Sequence, residues 1–551
     1  MSSRAVGDEN SRDDALFRAS FRSASSLMGL QLFSRIFTFI LNQAMFRLAS
    51  PRAYGTAAIQ FELLLSTILF LSREGVRNAL LRVKKTGVST TNLSVLPVLF
   101  GFPLALATSY FYARFAGDEV RSQDHFQASI AIYALAALLE LLSEPMHNLA
   151  MAELRTGVRV KAEGLGITVK TIVTFLVLLY DMRSGGHTLA LLAFAAGQLA
   201  YGAAVLFIYV AYYGVQSTWP KRPPQTQDKP THYFDPEILR LSLTMTSQSL
   251  VKHFLTEGDK LILSWFSPLQ DQGGYAIAVN YGSLIARIVF QPIEEASRVF
   301  FSKVLGNLSP ETTEDPKATT TKFASLQQAA VTLTSLLSIY SAFSLILLVF
   351  GTVYIPIVLQ ILLPRQYLLT SAPKVLSAWV WYIPVLAFNG ALEAFLSSVA
   401  TLHDLNNQSR WMAGFSVIYI LAAVTLSRFH VGDASLVYAN VLNLTLRIIY
   451  CTHFITSFFT RRGARHVLQF STVVSGWPLV FTATASTVLI HISEIKLGIT
   501  TMIDGGQKIP LLSTPVLLHI GFGACLAFLC LGVWWFSSGR HLSLPHRAKA
   551  E

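Results

Sequence analysis

The stretch Tyr275–Lys303, YAIAVNYGSLIARIVFQPIEEASRVFFSK, places charged groups inside a run that otherwise reads as membrane-spanning. An ionisable side chain at mid-bilayer costs on the order of 3 kcal/mol on insertion scales, so each one asks for a reason. The reason starts with a repeat. Tyr54–Arg82, YGTAAIQFELLLSTILFLSREGVRNALLR, lies over this stretch at an offset of about 221 residues. Tyr54 meets Tyr275, Ala57 meets Ala278, Leu63 meets Leu284, Glu74 meets Glu295, Arg77 meets Arg298 and Arg82 meets Lys303. Each copy carries an apolar span ending in Glu-x-x-Arg. At i,i+3 on a helix the two side chains share a face, so each pair is expected to neutralise itself. The chain is accordingly expected to hold two related lobes.

The composition points the same way. Of 551 residues 52% are hydrophobic and only 13% charged, and the mean hydropathy is +0.48, whereas soluble domains carry about 25% charged residues. The expected class is an all-α polytopic membrane protein. The formal net charge is +12, but no Lys/Arg block is interleaved with aromatic residues, which argues against a nucleic-acid groove. Cys451, Cys525 and Cys530 sit in apolar runs without metal-ligand spacing and read as small core residues, so neither a disulfide framework nor a metal site is expected. No P-loop, GxSxG, HExxH or zinc-spaced CxxC occurs. The adjacent Glu294 and Glu295 diverge by about 100° on a helix and cannot share a proton as a catalytic dyad would. The expectation is a transporter without nucleotide hydrolysis and without cofactors, not an enzyme.

Apolar runs of about 20 residues predict about 14 transmembrane helices, near 24–47, 53–72, 91–113, 125–147, 163–181, 187–213, 238–265, 274–302, 323–351, 373–401, 411–428, 434–459, 470–492 and 511–536. Residues 214–236, GVQSTWPKRPPQTQDKPTHYFDP, are rich in Pro, Gln and charge and form the natural joint. The expected organisation is an N-terminal tail (1–23), an N-lobe of six helices (24–213), the inter-lobe loop (214–236), a C-lobe of six (237–460), two further helices (461–536) and a C-terminal tail (537–551). The mixed-charge tail resembles neither a signal nor a transit peptide, so the first helix is expected to act as its own insertion signal. Alternate loops on the side of the termini hold more than twice the Lys and Arg of the opposite loops. The positive-inside rule then puts both termini, and the inter-lobe loop, in the cytosol. The terminal Arg547-Ala-Lys549-Ala-Glu551 either resembles a basic retrieval signal of endoplasmic reticulum membrane proteins or is a solvated tail.

The charges inside spans sort by position. Arg73, Arg77, Arg82, Lys84 and Lys85 crowd the end of the second helix, where snorkelling to headgroups competes with substrate contact. Arg35 lies about eleven residues into the first helix, on a polar stripe with Gln31, Ser34, Thr38 and Asn42 that must face protein or water. In the seventh helix Lys252 shares a face with Gln248 and Thr256, and Glu257 can pair with Lys260. The eighth carries Arg287 one turn before Gln291, then Pro292, which should break the hydrogen-bond ladder and kink the helix. The twelfth offers Asn440, Asn443 and Arg447. Glu140, Glu144, Pro145, His147 and Asn148 of the fourth helix, near the membrane edge, are a weaker candidate for a proton or cation site. For any one charge an inter-helix ion pair is the plain alternative. Collectively the cations outnumber acids within reach, and an excess of cation in a water-filled cavity suits a visiting anion such as a diphosphate headgroup, which Arg forks bind bidentately.

The segments QLFSRIFTFILNQ (31–43), FLSREGVR (70–77), SLVKHFLTEGDK (249–260) and FQPIEEASRVFFSKVL (290–305) together resemble the RFT oligosaccharide-translocation proteins of the endoplasmic reticulum, most closely a fungal member. That family is placed in the multidrug/oligosaccharidyl-lipid/polysaccharide exporter superfamily. The resemblance implies two bundles of six helices around a central cavity, to which the apolar runs add two C-terminal helices. It also implies a substrate, the dolichyl-diphosphate heptasaccharide Man(5)GlcNAc(2)-PP-Dol, moved from the cytosolic to the lumenal leaflet for N-linked glycosylation. Carried over by motif, Arg35, Arg73, Arg77, Lys252, Arg287 and Arg447 would hold the diphosphate. Glu74, Glu257, Ile293, Glu295 and Arg298 would form gates or inter-helix ion pairs, with Pro292 as a hinge. At Arg298 a relative carries an aromatic residue, so this side chain either alters the gate or snorkels. The implied partners are the glycolipid, endoplasmic reticulum membrane lipids and other glycosylation proteins, with the chain acting as a monomer. Two other readings stay open: a non-transport scaffold of lipid-linked oligosaccharide assembly, and a proton- or cation-coupled small-molecule exporter, whose cationic cargo the interior would repel.

Overall fold

The structure, a computed structural model, describes residues 39–82, 92–153, 155–215, 233–306, 316–429, 431–499 and 513–537, together with 220, 502 and 539. The described residues are helical throughout their regular elements and include no strand. In chain order they form α1 (39–48) and α2, which runs Pro51–Gly55, loosens into a π-helical turn over Thr56–Phe61 and continues over Glu62–Arg82. There follow α3 (Leu96–Phe115), α4 (Phe126–Leu142, resumed as Glu144–Ala152), α5 (Thr156–Ser184) and α6 (Ala190–Tyr213). Next come α7 (Pro236–Thr256, resumed as Gly258–Phe266) and α8, in which Leu269–Ile285, a π turn over Ala286–Phe290 and Gln291–Leu305 are continuous. The chain ends with α9 (Pro316–Leu362), α10 (Ala372–Val399), α11 (Leu402–Arg428), α12 (Ala434–Arg461), α13 (Trp477–Lys496) and α14 (Thr514–Ser537).

Local sequence explains the boundaries. Ser50 accepts the Ala53 N–H at 3.2 Å and Pro51 opens α2, the favoured order of cap and first residue. Thr401 and Asp404 close a capping box at α11. Pro145 interrupts α4 after Ser143, and α5 stops at Gly185, whose φ of +71° suits only glycine without strain. The buried carboxylate of Asp181 then takes the N–H groups of Thr188 and Leu189 at 3.2 and 3.0 Å, tying the end of α5 to the entry of α6.

Among the described residues, twelve helices are long and apolar enough to cross a membrane. The other two of the expected fourteen do not meet that test. Only the last part of the first helix falls within the described residues, and α7 is broken at Glu257 and carries Glu237, Arg240 and Lys252 in its first segment. Large apolar side chains point outward, as in α3, where Leu99, Phe102, Leu106, Tyr110 and Phe111 are each more than half exposed. In water such a belt would be a liability, but in lipid it is the expected exterior.

The chain falls into two compact units. One comprises residues 1–53 and 64–250, the other 54–63 and 251–551. In the first, α6 packs between α5 and α4, and α3 packs on α4. Gly197 lets α6 approach α5 closely, since a Cβ there would lie 2.9 Å from the Lys170 carbonyl oxygen. In the second, α10 is central, with α8, α9 and α12 against it, while α13 and α14 pair and lean on α9 through small clusters around Ile357, Leu479 and Ile490. Most of the expected 214–236 joint lies outside the described residues.

Candidate functional site

The first unit holds a chain of charged and amide side chains that links four helices. Arg77 of α2 grips Glu144 of α4 in a bidentate pair, with Nε to Oε2 at 2.7 Å and Nη2 to Oε1 at 2.5 Å. Arg73, one turn earlier, reaches Glu144 Oε1 at 3.3 Å and Glu140 Oε2 at 3.6 Å. Gln198 of α6 donates to Glu140 Oε1 at 2.9 Å and accepts from Lys170 Nζ of α5 at 2.6 Å. The Glu144 side chain is fully buried while both arginines keep nearly a quarter of their surface exposed. The carboxylates thus sit inside and the guanidiniums form the outer layer.

This corrects the pairing read from the sequence. Arg77 pairs across to Glu144 and not back to Glu74, whose Oε1 accepts from Asn78 Nδ2 at 3.2 Å. In the second copy of the motif Arg298 pairs with Glu294 at 2.9 Å, and Glu295 is exposed. On α8 the i,i+4 acid is taken in place of the i,i+3 one, both being neighbours on the helix surface, and on α2 a buried acid on a neighbouring helix out-competes the local one. Glu140 and Glu144, read from the sequence as a weak proton or cation site, are instead the counter-charges of Arg73 and Arg77. Their own i,i+4 spacing, matching that of the arginines, is the signal that could have found them.

In the second unit Glu257 and Lys260 form the expected pair at 2.8 Å. The expected break at Pro292 takes the form of the π turn over Ala286–Phe290 just before it, where the ladder is re-registered to spare the carbonyl that proline leaves without a donor. Arg287 lies on this turn and donates from Nη2 to the Asn280 carbonyl at 2.8 Å. Ile293 is half-buried on the helix that follows. A carboxylate not singled out from the sequence, Asp259, sits where α7 meets α8, α11 and α12. It accepts from Tyr275 at 3.3 Å, from Asn440 Nδ2 at 3.4 Å and from the Tyr419 hydroxyl.

Arg447 stands apart from these neutralised groups. It lies midway along α12, one turn beyond Asn443, and among the described residues it makes no hydrogen bond or ion pair; its Nε and the Asn443 Oδ1 are both buried without a partner. Arg35 and the side chain of Lys252 lie outside the described residues.

The fold is all-helical and multi-pass among the described residues. The lipid II flippase MurJ, in an inward closed conformation, matches over 93% of this chain and 99% of its own at a TM-score of 0.57 and 13% identity. The sequence profile of the Rft protein family matches residues 19–545, and the chain belongs to that family. Among its relatives, the Man(5)GlcNAc(2)-PP-dolichol translocation protein RFT1 of Yarrowia lipolytica is 34% identical, covering 82% of this chain and 72% of the relative. The proteins of the same name from Saccharomyces cerevisiae and Mus musculus are 29% and 28% identical, covering 81% and 83% of this chain and 84% and 85% of their own.

Proposed function

We propose that this protein is an intramembrane glycolipid transporter of the endoplasmic reticulum. It moves Man(5)GlcNAc(2)-PP-dolichol from the cytosolic to the lumenal leaflet as a single chain, without hydrolysing nucleotide, by alternating access of a cationic cavity. The observation that carries the reading is Arg447, a guanidinium midway along a span that is unmatched among the described residues. Such a group is costly in a membrane unless an anion meets it, and a diphosphate supplies one with matching fork geometry. Family membership and the relatives' names support the substrate. Arg35, Lys252 and Arg287 belong to the same cationic set in this reading. Arg73 contributes its exposed side, while Arg77, held by Glu144, positions it. Glu74, Glu257, Ile293, Glu295 and Arg298 act in gating, Pro292 is the hinge, and both termini face the cytosol.

The test is movement of the heptasaccharide lipid across liposomes containing only this protein, beside Arg447→Gln and empty liposomes. Loss of a charge-assisted contact to diphosphate, worth about 1.5–3 kcal/mol, should slow transport by roughly ten- to a hundredfold. Transport at the wild-type rate in Arg447→Gln sinks its role. No acceleration over empty liposomes by folded wild type would favour the scaffold reading, which the Arg77–Glu144 pair, a tie between helices, independently suits.

A further inference from the structure

The turn between α11 and α12 holds a cavity of about 260 Å³ that opens beside the end of α7, entirely within the second unit. Its walls include Phe266 and Ser267 from the end of α7, Ser427 and Arg428 from the end of α11, and Asp433 and Ser435 at the start of α12. Asp433 occupies the N-cap position of α12, where an aspartate ordinarily accepts an N–H from the first turn. Here it makes no such bond. Its Oδ1 takes the Ser267 hydroxyl instead, and its Oδ2 is buried with no partner. A buried carboxylate oxygen left without a donor is costly, and the aspartate that carries it lines the cavity.

The other walls narrow which donor would suit it. Arg428 is exposed and, among the described residues, makes no hydrogen bond or ion pair. The Ser427 hydroxyl already donates to the Val424 carbonyl at 2.8 Å, which leaves its oxygen to accept. Phe266 is 65% exposed and offers an apolar face. An anion would be repelled by Asp433 and a cation by Arg428. A neutral ligand carrying several hydroxyls satisfies both: its O–H groups donate to the carboxylate, its oxygens accept from the guanidinium, and its C–H face lies on the phenyl ring. The volume is below the roughly 300 Å³ at which pockets for drug-sized ligands begin, so it has room for one sugar ring and not for an oligosaccharide.

We propose that this cavity is a mannosyl-binding subsite, which holds one hexose of the oligosaccharide. The assignment of mannose rests on the transport reading above. On the topology proposed there, the cavity opens on the lumenal side, so the subsite meets the sugar as it emerges.

The experiment is ligand-observed saturation-transfer NMR on the purified full-length protein with methyl α-D-mannopyranoside, for wild type, Asp433→Asn and Arg428→Ala. Asp433→Asn retains the shape and an oxygen for Ser267, and Arg428 is exposed, so melting curves should match wild type. Mannoside contact is expected in wild type, with apparent affinity reduced about tenfold or more in each variant. Contact undiminished in both variants, or absent from folded wild type, overturns the proposal. A companion liposome assay separates the two readings. If wild type moves the lipid but binds no mannoside, and Asp433→Asn moves it equally fast, the subsite falls and transport stands. If mannoside binds through Asp433 but no lipid moves, transport falls and the sugar site stands.

Discussion

Arg77 and Arg447 carry the same charge into the membrane and meet different surroundings. Arg77 is clamped by a fully buried carboxylate, so removing either partner strands a charge in low dielectric. Arg77→Ala or Glu144→Gln is therefore expected to destabilise the folded protein by about 3–5 kcal/mol, read as loss of abundance and an early denaturation midpoint. Replacing both by leucine removes the stranded charge and should cost clearly less than either single change. Among the described residues Arg447 has no partner to strand, so Arg447→Gln should leave the denaturation midpoint within about 1 kcal/mol of wild type while slowing transport. A stability loss as large as that of Arg77→Ala would place Arg447 among the structural ties. Arg35→Lys makes the same distinction by another route: a fork that binds phosphate is not replaced by a point charge, so activity should fall at unchanged abundance.

Helix contacts are decided by small residues and by breaks in the ladder. Gly282 of α8 faces Trp379 of α10, and a Cβ would fall 2.2 Å from the indole. Gly282→Ala must push α8 away from α10 and is expected to cost about 1–3 kcal/mol, measured as a shift in the denaturation midpoint. Gly414 in α11 has nothing within 4 Å of the added methyl, so Gly414→Ala should be neutral or stabilising by up to about 1 kcal/mol. Equal effects at the two sites would refute close packing at Gly282. At Pro292 the π turn and the proline act together. Pro292→Ala allows a regular ladder, and it should leave stability nearly unchanged while slowing translocation if α8 bends during transport.

For the whole molecule the testable quantity is which side of the membrane each loop faces. On the topology proposed above, which rests on the bias of Lys and Arg, the tails are expected to face the cytosol and the turn before α4, with exposed Asp124, the lumen. In a background with Cys525 replaced, a thiol at Ser2 should react with an impermeant reagent added outside sealed microsomes. A thiol at Asp124 should react only after the membrane is opened. The reverse pattern would invert the topology and, with it, the face on which the mannosyl subsite opens.

The all-helical membrane class, the family and the approximate place of the helices within the described residues were legible in the sequence alone, because hydropathy and caps are local and a span needs only about 20 apolar residues to announce itself. The sequence also located charges within the spans, among them Arg73, Arg77, Arg287 and Arg447. It could not say which of them are neutralised. Glu74 and Arg77 share a helix face, yet the partner of Arg77 is Glu144, 67 residues away in the chain. Asp259 carries no signal of its own in the sequence; Tyr275, Tyr419 and Asn440, which converge on it, come from three other helices. Ser267 and Asp433 meet across 166 residues, so the cavity they share has no linear signature. Apolar periodicity is written along the chain, but the satisfaction of a buried charge depends on which helices pack together, and only the tertiary structure decides that.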